Sequence, residues 1–137
     1  MNIVLAIAAL AVSIYAARGF YKAGSFKSKA DKETLLGAGM GWVAKVPFGL
    51  VRLIAWLEIL GAIGVVLAPI GAYVTGLVWA QWVGVAAGAG LALTMVVAFI
   101  MHLARGEAKY TWKMNLGLFA AATIATVLQA LVVLPLF

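Results

Sequence analysis

A chain of 137 residues that is 66% hydrophobic and 10% charged, with four acidic residues and a mean hydropathy of +1.14, is not a water-soluble domain, where about a quarter of residues carry charge. The net charge of +6 does not make nucleic acid a partner, because the basic residues border apolar runs where anionic headgroups and membrane topology account for them. The absence of cysteine excludes disulfides, thiolate metal sites and thiol redox chemistry by this chain alone.

The first apolar run, from Asn2 to Ala17, predicts a helix over about residues 2–20. Its uncharged start and the cations that follow it, Arg18 and Lys22, reverse the pattern of a secretory leader, so it reads as a retained span. The segment from Ser28 to Val46 is partly polar. Ser28 or Asp31 can cap a short helix carrying Leu35, Leu36, Met40 and Trp42 along the inner membrane surface. Pro47 suits the first turn of a second helix over 48–68, where its missing N–H costs nothing. Pro69, Gly71 and Gly76 then bracket an outer turn, which makes the second helix and a third over 77–104 an antiparallel hairpin. A fourth helix is expected over 114–135.

The charges orient these spans. Arg18, Lys22, Lys27, Lys29, Lys32 and Lys45 lie between the first two, with Arg52 just inside the second; Arg105, Lys109 and Lys113 lie between the last two. The connection from Pro69 to Gly76 carries no charge. Cytoplasmic loops retain Lys and Arg, so the fold class is all-α: one transmembrane domain over residues 1–137, a four-helix up-and-down bundle with both termini outside. Small residues recur at Ala9, Ser13 and Ala17, at Ala80, Gly84, Gly88 and Ala92, and at Gly117, Ala121 and Ala125, ridges that let helices pack closely in lipid. Gly61, Gly64 and Gly90 serve the same packing or leave room for a flat ligand. Trp42, Tyr110 and Trp112 at the inner boundary, and Tyr73, Trp79 and Trp82 at the outer one, read as headgroup anchors.

Glu58 is the residue that asks for chemistry. It lies about ten residues, roughly 15 Å of rise, beyond Pro47, near the expected midplane, where an acidic residue costs about 2.5 to 3.5 kcal/mol unless it faces the interior and is paired or protonated. Arg52 is the nearest cation along the helix; it reaches Glu58, stacks on Trp56, or snorkels. Counting inward from Arg105 puts His102 about one turn from the edge, with Thr94 and Thr123 closer to the depth of Glu58. Arg52, Glu58, Thr94, His102 and Thr123 thus form a candidate polar pocket, closed from below by Tyr15 and Lys22. The bland reading of the same residues is hydrogen bonding that fixes helix register. One histidine cannot supply both axial ligands of a b-type haem, no metal site is expected, and no intrinsic cofactor is predicted.

Two stretches carry a resemblance: Arg52-Leu-Ile-Ala-Trp-Leu-Glu58-Ile-Leu-Gly61-Ala-Ile-Gly64 and Ala98-Phe-Ile-Met-His102-Leu-Ala-Arg105-Gly106-Glu107. With Gly19 to Lys22 ending the first helix, they resemble the DoxX-like membrane proteins across Gly19 to Leu118. The resemblance implies a four-helix protein of the bacterial cytoplasmic membrane, related to subunits of a thiosulfate:quinone oxidoreductase and to proteins associated with oxidative stress. It makes Glu58, His102, Arg105 and Glu107 the family positions and carries no catalytic role onto them; Lys22, Arg105 and Glu107 are candidate cytoplasmic-edge contacts.

The function expected is an accessory subunit of a redox-linked membrane assembly, offering a quinone- or lipid-facing pocket and not catalytic alone. Its partners would be the bilayer and other membrane subunits or a second copy. Two alternatives stand beside it: a proton-coupled small-molecule transporter using Glu58, and a purely structural subunit of a larger complex.

Overall fold

The computed structural model describes residues 3–134 and, of Tyr110, the backbone alone; the expected helix ends at Asn2 and Pro135 lie outside the described residues. Four long helices carry the chain: α1 (Ile3–Lys29), α3 (Phe48–Thr75), α4 (Val78–Ala104) and α5 (Ala108–Val133), with a short α2 (Lys32–Gly37) and a 3-10 turn over Gly41–Lys45 in the first connection. All four long helices are apolar enough and long enough to cross a membrane. α1 packs on α3 and α5, and α4 packs on the same two, so the bundle is a square with α1 and α4 on one diagonal. Phe20, Ala62, Val65, Leu91, Met95 and Ala122, drawn from all four, fill its centre.

Three helix boundaries move from their expected places. α1 runs nine residues past Phe20, because the cations from Arg18 onward are good helix formers and nothing breaks the helix before Asp31. α5 begins at Ala108, six residues before the expected start. α3 passes through Pro69 and ends at Thr75, so the outer turn shrinks to Gly76 and Leu77; Gly76 takes the left-handed conformation (φ 75°) and its N–H closes on Ala72 O at 2.8 Å.

Pro69 survives inside the helix because its defect is repaired. Proline has no N–H, so the carbonyl of Val65, four residues earlier, loses its partner. Gln129 of α5 donates Nε2 to that oxygen at 2.9 Å and also to Ser13 Oγ of α1 at 2.8 Å, while its own Oε1 accepts from Gln81 Nε2 of α4 at 3.0 Å. One buried side chain on α5 therefore ties the other three helices together. Gly84 leaves the space for it, since a Cβ there would meet Gln129 and Pro69. Gly61 against Leu91 and Gly64 against Ala87 likewise serve packing, whereas a Cβ at Gly90 would meet nothing.

The first connection folds inward. Asp31 caps α2 by accepting the Thr34 N–H at 2.7 Å, and hydrogen bonding from Thr34 holds its carboxyl below the usual carboxylate range. The helix lasts only six residues, and Met40 and Trp42 follow it in the turn. Leu35, Trp42 and Val43 are buried with Val51 against Met101 of α4, so Trp42 is core and not a headgroup anchor. Trp79, Trp82 and Trp112 are exposed, and Tyr73 is half-buried.

Helices of 26 to 28 residues are about 40 Å long, some 10 Å more than a hydrocarbon core, and sinking them wholly would need a tilt near 40°, the extreme of the usual range. The excess projects at the end that bears the charges, since the other end is bare of them. Glu58 lies seventeen residues from Thr75, roughly 25 Å by rise, which shifts it from the midplane toward the charged interface.

Candidate functional site

The extension of α1 decides what Glu58 meets. Gly24 sits where α1 crosses α3, close enough that a Cβ would lie 2.7 Å from Ala55 O and 3.2 Å from Glu58 Cβ. One turn further, Lys27 donates Nζ to Glu58 Oε1, forming an ion pair whose carboxylate side chain is 1% exposed. Lys27, which in sequence looks like a loop cation, is thus the partner of Glu58. Arg52 is not: its Nη1 donates to the Lys27 backbone oxygen at 2.8 Å, in the last turn of α1, where a cation meets the negative end of the helix dipole. Its guanidinium lies over the Phe48 ring at 4.6 Å, not over Trp56, which is exposed.

Below this pair is a cavity of about 510 Å³ among α3, α4, α5, the end of α1 and the inward-folded first connection. Apolar side chains such as Met95, Met101 and Trp42 make most of its wall. Its polar groups are Glu58, Thr94, His102, Thr111 and Asn115, together with Lys27. Leu57, Leu93, Val97 and Met114 line it and are each more than half exposed on the outside of the bundle, so it adjoins lipid. Two of the lining residues carry an acceptor atom that is buried without a hydrogen-bond partner among the described residues: Glu58 Oε2 and Asn115 Oδ1. Asn115 is 3% exposed and its amide nitrogen reaches only Met95 Sδ, at 3.7 Å.

Of the five residues expected in a polar pocket, Glu58, Thr94 and His102 line this cavity together. Thr94 turns its hydroxyl back to Gly90 O at 2.8 Å. Arg52 and Thr123 are not among its lining, and the Thr123 hydroxyl is buried without a partner among the described residues. Tyr15 is 74% exposed and Lys22 lies on the outward face of α1, so neither closes the cavity. Asn115, Lys27 and Gln129 are additional. The position of Asn115, one turn into an apolar span beyond Lys113, was a signal available in the sequence; the roles of Lys27 and Gln129 depend on which helix they face.

At the edge of the site, α4 ends in a Schellman motif: Gly106, at φ 73°, sends its N–H to Leu103 O at 3.2 Å, and Glu107 sends its own to His102 O at 2.8 Å. The turn folds Glu107 back over the helix it has just left. Its Oε1 accepts from Arg105 Nε at 2.9 Å and from His102 Nδ1 at 3.3 Å. The His-x-x-Arg-Gly-Glu spacing is therefore a helix stop whose acid clasps two residues of the stopped helix. Gly41 of the first connection lies against this clasp, a Cβ there falling 3.1 Å from Arg105 Nη2.

A model of the DoxX-like family matches residues 6–126. The chain belongs to the DoxX-like family. The match extends beyond the Gly19 to Leu118 stretch on which the resemblance was seen, and takes in most of α1 and α5. No curated protein and no solved structure gives a significant match. This DoxX-like chain is thus a multi-pass membrane protein with both hairpin connections that bear charge at one end of a four-helix bundle.

The clasp carries a pH prediction. Burial pushes the Glu107 carboxyl up, but hydrogen bonds from Arg105 and His102 and the Arg105 charge outweigh it and hold the group below its ordinary value. A depressed folded pKa stabilises the fold above the ordinary carboxylate pKa, and that contribution is lost as pH falls through the lowered value. The pair is partly exposed, so the effect is at most about 1 kcal/mol, or roughly 2–4 °C. Melting of the detergent-solubilised protein should fall more steeply between about pH 5 and pH 3 than that of Glu107→Gln; parallel curves would refute the clasp.

Proposed function

We propose that this DoxX-like protein is an accessory subunit of a redox-linked assembly in the bacterial cytoplasmic membrane, with both termini outside, and that its inner cavity takes the head of a quinol. One observation carries the reading: two acceptors buried without a partner among the described residues, Glu58 Oε2 and Asn115 Oδ1, belong to side chains that line a single cavity adjoining lipid. Leaving such groups unpaired costs about 1–3 kcal/mol each, which a ligand with hydrogen-bond donors recovers. Glu58 is an acceptor whichever way the Asn115 amide is turned. A hydroquinone brings two hydroxyl donors; the oxidised quinone brings none, and leaves Glu58 unanswered. The volume, about 510 Å³, lies within the range of small-molecule sites, and the apolar walls suit a ring and the start of an isoprenoid chain. Electrons would come from another subunit, since this chain has no thiol. Proton-coupled transport through Glu58 has less support, because that carboxylate is engaged by Lys27.

Binding of a short-chain quinol and its quinone, followed by calorimetry in mild detergent, tests the proposal. The quinol should bind at least about tenfold more tightly, the equivalent of one hydrogen bond at 1.4 kcal/mol, and Asn115→Leu should erase much of the difference. Equal affinity for both forms, or binding of neither, would leave the protein a structural subunit.

A further inference from the structure

The outward face of α1 is the feature the cavity does not absorb. α1 packs chiefly on α3 and α5, and its third side is exposed. Residues 7, 11, 14, 18, 22, 25 and 29 fall on that side within about 80° of arc at 3.6 residues per turn. The stripe changes character along its length. Ile7, Ala11 and Ile14 are exposed and apolar, whereas Arg18, Lys22 and Lys29 are exposed and cationic. Around the cations lies an open groove of about 800 Å³, with Tyr21, Ser25 and Phe26 as its remaining principal walls.

None of these three cations has an ion-pair partner among the described residues. Three of the four acids are committed, Glu58 to Lys27, Glu107 to Arg105 and His102, and Asp31 to the Thr34 N–H, and the fourth, Glu33, is exposed on α2 and forms no ion pair with these cations. Arg18 is also deep. It lies six residues, about 9 Å, beyond Gly24, itself level with Ala55 and Glu58, on the side away from the charged end. An exposed guanidinium there borders hydrocarbon, and it must bend toward the interface and draw an anion to itself.

We propose that this groove is a binding site for an anionic phospholipid of the leaflet at the charged end of the bundle. The phosphodiester would sit at the level of Lys22 and Ser25, with Arg18 bent down to it, so that a guanidinium fork matches two phosphate oxygens and the Tyr21 and Ser25 hydroxyls are further donors. An acyl chain would run from there toward the bilayer midplane, beside Ile14. Lys29, eleven residues and about 16 Å below Arg18, meets the outer part of the headgroup. A zwitterionic lipid fits less well, because its ammonium would be placed among three cations. Over the leaflet at the charged end the stripe is thus basic where a charged head lies and apolar beyond Arg18, where a chain lies.

Native mass spectrometry of the full chain released from equimolar phosphatidylglycerol and phosphatidylcholine tests this. One retained phosphatidylglycerol is expected, preferred by on the order of tenfold to a hundredfold, as three basic residues near the surface imply. The preference should vanish in Arg18→Gln/Lys22→Gln/Lys29→Gln and persist in Lys32→Gln/Lys45→Gln/Lys113→Gln, which removes the same charge elsewhere. Hydrogen exchange of the wild-type protein gives a readout that needs no variant: phosphatidylglycerol, and not phosphatidylcholine, should slow exchange over residues 18–29. Equal retention of the two lipids, equal loss in both triple variants, exchange that ignores the lipid, or capture of an acidic membrane protein on this face in place of lipid would each overturn the proposal.

Discussion

Lys27→Met is expected to destabilise the protein by about 3–5 kcal/mol, the cost of leaving a buried charge without its partner. Glu58 is 1% exposed and has no other cation on its carboxylate, while Gly24 and the crossing of α1 on α3 hold it away from solvent. Glu58→Gln should cost far less, on the order of 1 kcal/mol, because glutamine keeps an acceptor toward Lys27 and the 12% exposed ammonium has a route to water. The double variant Lys27→Met/Glu58→Gln should recover most of the loss, since no buried charge then remains. Unfolding in mixed micelles by denaturing detergent, followed by tryptophan fluorescence, measures all three. If Lys27→Met were no worse than Glu58→Gln, the pair would not be holding α1 to α3.

The second large effect is expected at Gln129. Gln129→Leu removes three hydrogen bonds that reach α1, α3 and α4, at roughly 0.6 kcal/mol for each interhelical bond in a membrane bundle, so a loss of about 2 kcal/mol is expected. Part of that loss belongs to the Val65 carbonyl, orphaned by Pro69. Pro69→Ala supplies a backbone N–H to that oxygen and should therefore soften the Gln129→Leu defect, giving a double-mutant cycle that is not additive. Strict additivity would show that Gln129 does not repair the proline.

How legible these features were depends on how far each residue's meaning is local. The exclusion of water-soluble folds, the four spans and the antiparallel pairing of α3 with α4 follow from hydropathy and the short uncharged connection between them, and the bundle has them. Glu58 stood out because an acid in an apolar run is costly wherever its neighbours lie. Its partner did not, because Lys27 is one of several cations after the first apolar run, and only the unbroken helix to Lys29 carries it to α3. Trp42 looked like a headgroup anchor by position, yet the first connection turns inward and buries it with Leu35, Val43 and Val51. Pro69 looked like a helix end, since proline forfeits a hydrogen bond, until a side chain 60 residues later restored it.

The sequence by itself determined which solvent each segment prefers and where charge is forbidden or tolerated, because those are transfer energies that belong to a residue and its near neighbours. Tertiary structure alone decided which polar groups come together: Lys27 with Glu58, Gln129 with the Val65 carbonyl, and Glu58 and Asn115 in the lining of one cavity. Such contacts depend on the rotation and depth of whole helices, and a shift of one residue turns a side chain by about 100°, from the interior toward the lipid.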